Sequence, residues 1–532
     1  MGIHQIKRLY YTLKHLKFTQ VYYQIKYRLI KPKRVATLYD GVFAQVKLVD
    51  FLRKQKSLSI SEGMWSFSFL NLEQSFSQDS IDWSFRDYGM LWRYNLNYFD
   101  WLHQLGMSKE QGLETLSQLY ATPVEKNPII LHPYPTSLRI INVAKFISRW
   151  DIKEDWLFYE LVADLKFLSR RLEYHLLANH ILENAFALYI GGLITDQYEF
   201  IQKGKSLLVR ELKEQILSDG MHYERSPMYH LIILERLLDA LNFAKPVGDD
   251  LVPLLKSFAI KMTGYAMNWQ DLERIPMMQD SAYGIAFTIP EILVYSKSIL
   301  GVEYPLKSNA MLDSGYRRLN ATNFSLFANV GSISPSYQPG HAHADELNFE
   351  LFHRGSPIIV DTGVSTYDKS ERRQLERSTS SHNCVVSGGN SSDVWSGFRV
   401  GKRAIVKIDV DKDQKLTAIH DGFGTLTSRA FDSSVTGQIT LTDTLVYQST
   451  SNGYYGKGRL HLHPHVHLER IDEATFLLNN QIELTFQSDK YNPLMIELES
   501  YRYAKGYNTL VEATVISYSV FEQTIIQIRE AS

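Results

Sequence analysis

The chain has 532 residues, 44% of them apolar and 22% charged, with 57 basic against 58 acidic side chains, 17 histidines and one cysteine. This composition describes a folded protein of two to four domains and excludes collagen-like or disordered chains. A net charge of −1 excludes a global field for nucleic acid, and Cys384 alone excludes an internal disulfide or a multi-cysteine metal site. Any bound metal must therefore be held by histidine and carboxylate.

Residues 1–34 carry nine of the basic side chains and no acid. Leu9, Tyr10, Leu13 and Leu16 fall at helical spacing, and Tyr22, Tyr23, Ile25, Tyr27 and Leu29 follow. A basic aromatic helix of this kind suits an anionic membrane face or a partner; packing on its own domain is the simpler expectation. The N-terminus lacks the apolar core and cleavage site of a secretory signal, and no window reaches the ~18 apolar residues of a membrane span.

From about residue 85 to 300 the apolar positions recur at helical intervals. The spacing predicts helices over 135–149, 154–177, 180–194, 196–217, 228–244, 250–268 and 283–300, with Gly, Pro or Asp breaks between several of them. No strict repeat appears. Past residue 315 the period falls to two, as in Phe324, Leu326, Ala328 and Val330, and His353-Arg354-Gly355-Ser356-Pro357 reads as a hairpin turn. An all-α domain followed by an antiparallel sandwich is predicted, and ligand sites favour such domain interfaces.

Four polar clusters carry the candidate chemistry. Asn179-His180-Ile181-Leu182-Glu183-Asn184 sits in an apolar helix, where Glu183 is placed to orient His180 at i, i+3. The same residues also fit a buried hydrogen-bonded helix contact. Asp219 to His230 forms a turn rich in Tyr, His and Arg, equally readable as a capping turn. His341-Ala342-His343-Ala344-Asp345 follows a Pro-Gly turn, and His343, Asp361 and His382 would give a two-nitrogen, one-oxygen zinc-type set, or simply structural histidines. His461, His463, His465 and His467 alternate until Pro464 breaks the ladder; a polar strand face lining the interdomain cleft is preferred to a metal site there.

Taken together these segments resemble the heparinase II/III-like polysaccharide lyases. The resemblance runs from about residue 85 to 470 and includes Trp92 to Asp100, His132 to Asn142, Asn179 to Asn184, Ser226 to His230, His341 to Asp345, Val360 to Gly363, Arg377 to Asn383, Asp393 to Trp395 and Phe398 to Val400. It implies a multidomain α+β chain: a basic arm and lead-in over 1–84, an incomplete (α/α) toroid over 85–314, and an antiparallel β-sandwich over 315–532 that supplies a catalytic loop and the metal site.

By the same resemblance the substrate is a uronic-acid-containing polysaccharide cleaved by β-elimination. Asn179 and His180, supported by Glu183, would face the C5 carboxylate. Tyr229 and His341 would share the acid and base roles, and His343, Asp361 and His382 would hold a structural divalent ion such as zinc. Arg139, Arg225 and His230 are added as candidates for binding the acidic sugar, the arginines on charge and position. The basic arm, in place of a signal peptide, implies a bacterial polysaccharide-biosynthesis setting, cytoplasmic or at the inner membrane face, with contact to membrane or assembly machinery through residues 1–34. C5-epimerisation of a uronate and non-catalytic glycan binding are the alternatives. Hydrolysis is disfavoured because Glu183 and Glu224, the only carboxylate pair available, have simpler structural roles.

Overall fold

The computed structural model describes residues 2–31, 33–35, 41–50, 56–61, 63–301, 311, 313–446, 456–488 and 493–531. Two short helices, α1 (Ile3–Leu13) and α2 (Phe18–Leu29), open the chain and lie against the body of the protein. A small antiparallel sheet of Leu58–Ser61, Met64–Phe69 and Leu72–Ser77 follows, unforeseen in a segment read only as a lead-in. Its alternation turns Trp65, Phe67 and Phe69 inward. There Phe67 meets Trp101 and Phe69 meets Trp92, each with ring centroids 5.3 Å apart.

The helical domain comprises α3 (Gly89–Tyr98), α4 (Lys109–Ala121), α5 (Pro133–Trp150), α6 (Asp155–Arg170), α7 (Ala178–Thr195), α8 (Tyr198–Gln215), α9 (Pro227–Ala244), α10 (Val252–Ala266) and α11 (Ile289–Leu300). The central helix, α7, packs against α5, α6, α8 and α9, so nearly all its residues are buried. Gly204 of α8 is required by that packing: a Cβ there would stand 2.6 Å from the backbone nitrogen of Tyr189.

Two predicted helices are shorter than their periodicity suggested. The run 154–177 stops at Arg170, and the chain reverses into α7 through Leu177 (φ 63°) and Ala178 (φ 53°), both left-handed. The run 283–300 begins helically only at Ile289, where the Thr288 side chain accepts from the Glu291 N–H and fixes the first turn. Both departures are local: apolar spacing continues through a loop that is itself packed.

The β domain begins at Tyr316. Its eight-stranded antiparallel sheet runs, in spatial order, Val406–Lys412, Lys415–His420, Leu426–Asp432, Gln438–Val446, Gln523–Glu530, Ile482–Ser488, Thr475–Leu478 and Leu468–Arg470. Smaller sheets face it, one of Tyr316–Ala321, Phe324–Asn329, Phe349–His353 and Ser356–Ile359, the other built on Ile496–Gly506, Thr509–Val520, Gly456–His461 and Val385–Val386. Leu326, Phe349, Leu441, Leu460, Leu484 and Ile516 close the core between them. The loops after Phe324–Asn329 and Ser356–Ile359 face the helical domain.

The histidine row does not form one ladder. Its strand ends at His461, which is buried with Nδ1 3.1 Å from Asn383 Oδ1, while His463 packs on Tyr503. None of the four lines the interdomain cleft, contrary to the sequence expectation, because the strand terminates before Pro464.

Candidate functional site

A cleft of about 900 Å³ lies where the helical domain meets the loops of the β domain. Tyr94, Tyr134, Asn179, His180, Tyr229 and Arg236 line it from the helical side, and His341, Tyr367 and Tyr507 from the other. Chain segments 162 residues apart meet in it, since Asn179 Nδ2 lies 3.3 Å from His341 Nε2.

The left-handed entry into α7 places Asn179 and His180 in its first turn, where backbone N–H groups have no partner within the helix. Glu224 satisfies that end: its carboxylate accepts from the Asn179 backbone N–H at 3.0 Å and from Asn179 Nδ2 at 3.1 Å. The imidazole of His180 donates from Nδ1 to Glu173 at 3.1 Å and packs against the ring of Tyr134. Desolvation in the cleft lowers the pKa of His180, but the charge and hydrogen bond of Glu173 overcome this and raise it. Asn184 in turn donates to Glu173 at 3.0 Å and accepts from its backbone N–H at 2.7 Å.

Glu183 therefore does not support His180, as the helical spacing had suggested. Side chains in a first turn point back toward the helix N-terminus, which brings His180 to the loop carboxylate instead. Glu183 is buried and faces Arg236, with Oε2 3.5 Å from Nε. Burial pushes its pKa up to about 7, with Glu235 and Asp239 adding to the rise that Arg236 opposes.

His341 is held by Asp280. Its Nδ1 donates to Asp280 Oδ2 at 2.8 Å, leaving Nε2 as the acceptor that meets Asn179. The same carboxylate accepts from His343 Nε2 at 2.8 Å and from both terminal nitrogens of Arg373 at 2.5 and 2.6 Å. Burial works to raise the pKa of Asp280; Arg373 and the two imidazoles reverse this and hold it well below the usual carboxylate range. Backbone pairing adds to the clamp, because Asp280 N–H donates to His341 O at 3.2 Å and His343 N–H to Gln279 Oε1 at 2.9 Å.

Tyr229 enters from the first turn of α9, which is capped by Ser226. Its ring lies on His341 at a centroid distance of 4.1 Å, and its hydroxyl is 3.3 Å from that of Tyr367. Burial first, and then neighbouring Tyr507, raise its pKa well above the ordinary phenol value, so Tyr229 carries its proton at neutral pH.

His343, Asp361 and His382 come together below the cleft, but not as a converging donor set. His382 Nδ1 donates to Asp361 Oδ2 at 2.8 Å, and the His343 and His382 rings are 5.2 Å apart. His343 Nδ1 and His382 Nε2 are buried without a hydrogen-bond partner. Among the described residues no group of three or more His, Cys, Asp or Glu side chains is arranged to hold a metal ion.

The three candidates for the acidic sugar lie elsewhere. Arg139 is fully buried between α5 and α6, where its Nε donates to Asp164 at 2.9 Å beside Arg34. Arg225 ties the helical domain to the β domain through Ser332 O and Asn329 Oδ1, filling space that a Cβ on Gly331 would occupy. His230 is fully buried, accepts from the His222 N–H and donates to Met262 O at 3.0 Å; burial lowers its pKa to about 4. Charge near a motif marked these residues, yet each charge or ring nitrogen is already used inside the protein.

Glu173, Asp280, Tyr367 and Arg373 escaped the sequence reading, and Glu224 was set aside. Glu224 stood within a cluster already singled out. Asp280 lies in a loop without periodicity, and Arg373, in the short helix Glu371–Glu376, reads as a solvated charge although it is fully buried.

Comparison with known proteins agrees with this architecture. Residues 136–284 match the family description "Heparinase II/III N-terminus" and residues 304–529 match "Heparinase II/III-like, C-terminal". A heparin-sulfate lyase of Pedobacter heparinus is 25% identical over 310 residues, covering 53% of this chain and 45% of that protein. One of Bacteroides thetaiotaomicron is 26% identical over 257 residues, covering 40% and 36%. The chain thus aligns with less than half the length of these curated relatives. A crystal structure of heparinase III superposes with a TM-score of 0.63 at 16% identity, covering 82% of this chain and 76% of that one. A mutant of the heparan sulfate lyase HepC from Pedobacter heparinus gives 0.57 at 16% identity, covering 96% and 88%. These two share its fold. With both halves of the family's pattern present in order over most of its length, the chain belongs to the heparinase II/III-like family.

Proposed function

We propose that the protein is a polysaccharide lyase that cleaves a uronic-acid-containing polymer by β-elimination. The observation that carries this reading is the pairing of His341 Nε2, oriented as an acceptor by Asp280, with the protonated phenol of Tyr229, whose ring is tilted against it at 4.1 Å. His180, whose pKa the neighbouring Glu173 raises, would face the C5 carboxylate from the cleft wall, with Asn179 beside it. Neutralising that carboxylate stabilises the enolate-like charge that develops as the C5 proton leaves.

In this reading Nε2 of His341 takes the C5 proton, and the C5–H electron pair becomes the C4–C5 double bond. The C4–O4 bond breaks, and O4 departs with the proton of Tyr229. The products are a 4,5-unsaturated uronate and a new hydroxyl end. Proton return from imidazolium to phenolate, directly or through water, resets the pair. With their rings tilted together at a centroid distance of 4.1 Å, both groups would lie on one side of a sugar bound in the cleft. Epimerisation at C5 requires a donor on the opposite face, so the proximity of the two rings supports elimination over it. The relatives' names favour a uronate polymer of the heparan kind, and a bacterial surface polysaccharide is the class we take as substrate.

The test is to incubate the protein with a panel of uronate polymers and follow ultraviolet absorbance of the unsaturated product. Absorbance rising with chain cleavage is expected. Deuterium entry at C5 without cleavage identifies an epimerase, and no turnover of any polymer removes the catalytic reading in favour of glycan binding.

Although the three side chains do not converge as they stand, a zinc-like ion at His343, Asp361 and His382 is proposed for a structural role only. The partnerless Nδ1 of His343 and Nε2 of His382 are suitable donors, whereas Asp361 is engaged with His382. Such an ion would fix the loop that bears His341, and no step above passes through it. Thorough chelation is expected to lower the melting temperature and the activity together. Unchanged melting excludes the ion.

A further inference from the structure

We infer that α1 and α2 form an amphipathic platform that docks the protein on an anionic lipid surface. The arm is fixed to the body by one face only. Arg8 pairs with both oxygens of Asp393 at 2.8 and 2.6 Å, and Thr12 accepts from Trp395 Nε1 at 3.2 Å. Gln20 donates to Tyr337 O at 3.2 Å, and the hydroxyl of Tyr27 donates to Leu172 O at 2.5 Å. These contacts give each helix a defined outward face.

On α1 that face carries Ile3, Ile6, Tyr10 and Leu13 at spacings of three and four, all exposed. On α2 it carries Phe18, Val21, Tyr22, Ile25 and Leu29, again exposed and in helical register. Phe18 and Leu29 are 83% and 79% exposed. Scattered exposed apolar side chains are ordinary; a stripe in helical register on each of two successive helices marks a binding surface.

Charge identifies the occupant. Lys7 and Lys14 border the stripe of α1 along one edge, and Lys26 and Arg28 lie on either side of that of α2. Exposed Lys31 and Lys33 follow, and residues 1–34 contain no acid. An apolar face edged by cations matches the interface of an anionic bilayer, with rings and aliphatic chains at acyl depth and ammonium groups at the phosphates. Among the described residues no helix is long and apolar enough to cross a membrane, so the arm lies on the surface. Leu13, Val21 and Ile25, at the edge of the stripes, also line the cleft together with Leu9, so the arm forms part of the cleft wall. The platform is independent of what the cleft turns over, and its test reads binding alone.

The test is flotation of the full chain with vesicles of phosphatidylcholine alone or with phosphatidylglycerol. Partitioning about tenfold stronger into the anionic vesicles is expected, weakening as salt is raised. Lys7→Glu with Lys14→Glu should reduce it by about tenfold, and Phe18→Glu with Ile25→Glu should abolish it. All four side chains are exposed or flank the stripes, so melting should not change. On the unsubstituted chain, anionic vesicles should also slow tryptic cleavage at Lys7 and Lys14. Equal binding to both vesicle types, equal binding by the variants, or no protection from trypsin overturns the inference. A concentration-dependent dimer that the Phe18→Glu, Ile25→Glu pair dissociates also overturns it, because a second copy would then cover the stripes.

Discussion

Replacement of His341 by alanine is expected to lower kcat by about 10²–10⁴-fold, and Tyr229→Phe by a similar factor, while the fold is retained. Both losses follow from the geometry. Without the imidazole, no other acceptor oriented by Asp280 faces the cleft, because His343 spends its Nε2 on the same carboxylate while its ring is buried. Without the phenol, the departing O4 loses the donor that lies beside the base. Because the two act on one transition state, the double variant should be little worse than the weaker single. Steady-state kinetics on a cleaved polymer, with circular dichroism as the fold control, measures this. Activity within threefold of the parent in either folded variant contradicts the assigned roles.

Asp280→Ala is expected to have the largest effect on stability, about 3–5 kcal/mol, because it leaves the buried guanidinium of Arg373 without its bidentate partner. Two imidazoles lose their acceptor in the same step. Urea denaturation followed by tryptophan fluorescence reads the loss, and a change below about 1 kcal/mol contradicts the clamp. The pH dependence has a defined sign. The pKa of Asp280 lies below its unfolded value of about 3.9, so its contribution is complete above that pH and is lost as the pH falls through the folded value. Asp280→Asn keeps the shape and removes this acid sensitivity, yet its amide no longer draws the His341 proton to Nδ1, so activity should still fall.

Periodicity alone made the division of the chain legible. The change from spacing three and four to spacing two near residue 315 matches the start of the first strand of the β domain at Tyr316, and Asn179, His180, Tyr229 and His341 do share one cleft. What periodicity could not show was which carboxylate serves which histidine. Glu183 is adjacent to His180 along the helix, but the helix direction sends the imidazole to Glu173 across a turn whose left-handed residues carry no sequence signature. Asp280 is 61 residues from His341, a pairing set by the docking of two domains and absent from local pattern. Arg139 and Arg225 mislead for the opposite reason. A guanidinium reads as surface charge in sequence, and only packing reveals that Asp164 or the carbonyl of Ser332 has claimed it. The arm was read as a self-packed segment or as a docking helix, and its inner face is packed while its outer face is not.

The central claim is that the cleft breaks its polymer by elimination, and product mass tests it most directly. Elimination divides the chain without water, so the masses of the two fragments sum to that of the parent, and fragments made in ¹⁸O-water carry no label. The geometry of His341 and Tyr229 predicts that result, with the unsaturation confined to the new non-reducing end. Fragments that together gain one water per cut, with label incorporated, would show hydrolysis and contradict the account.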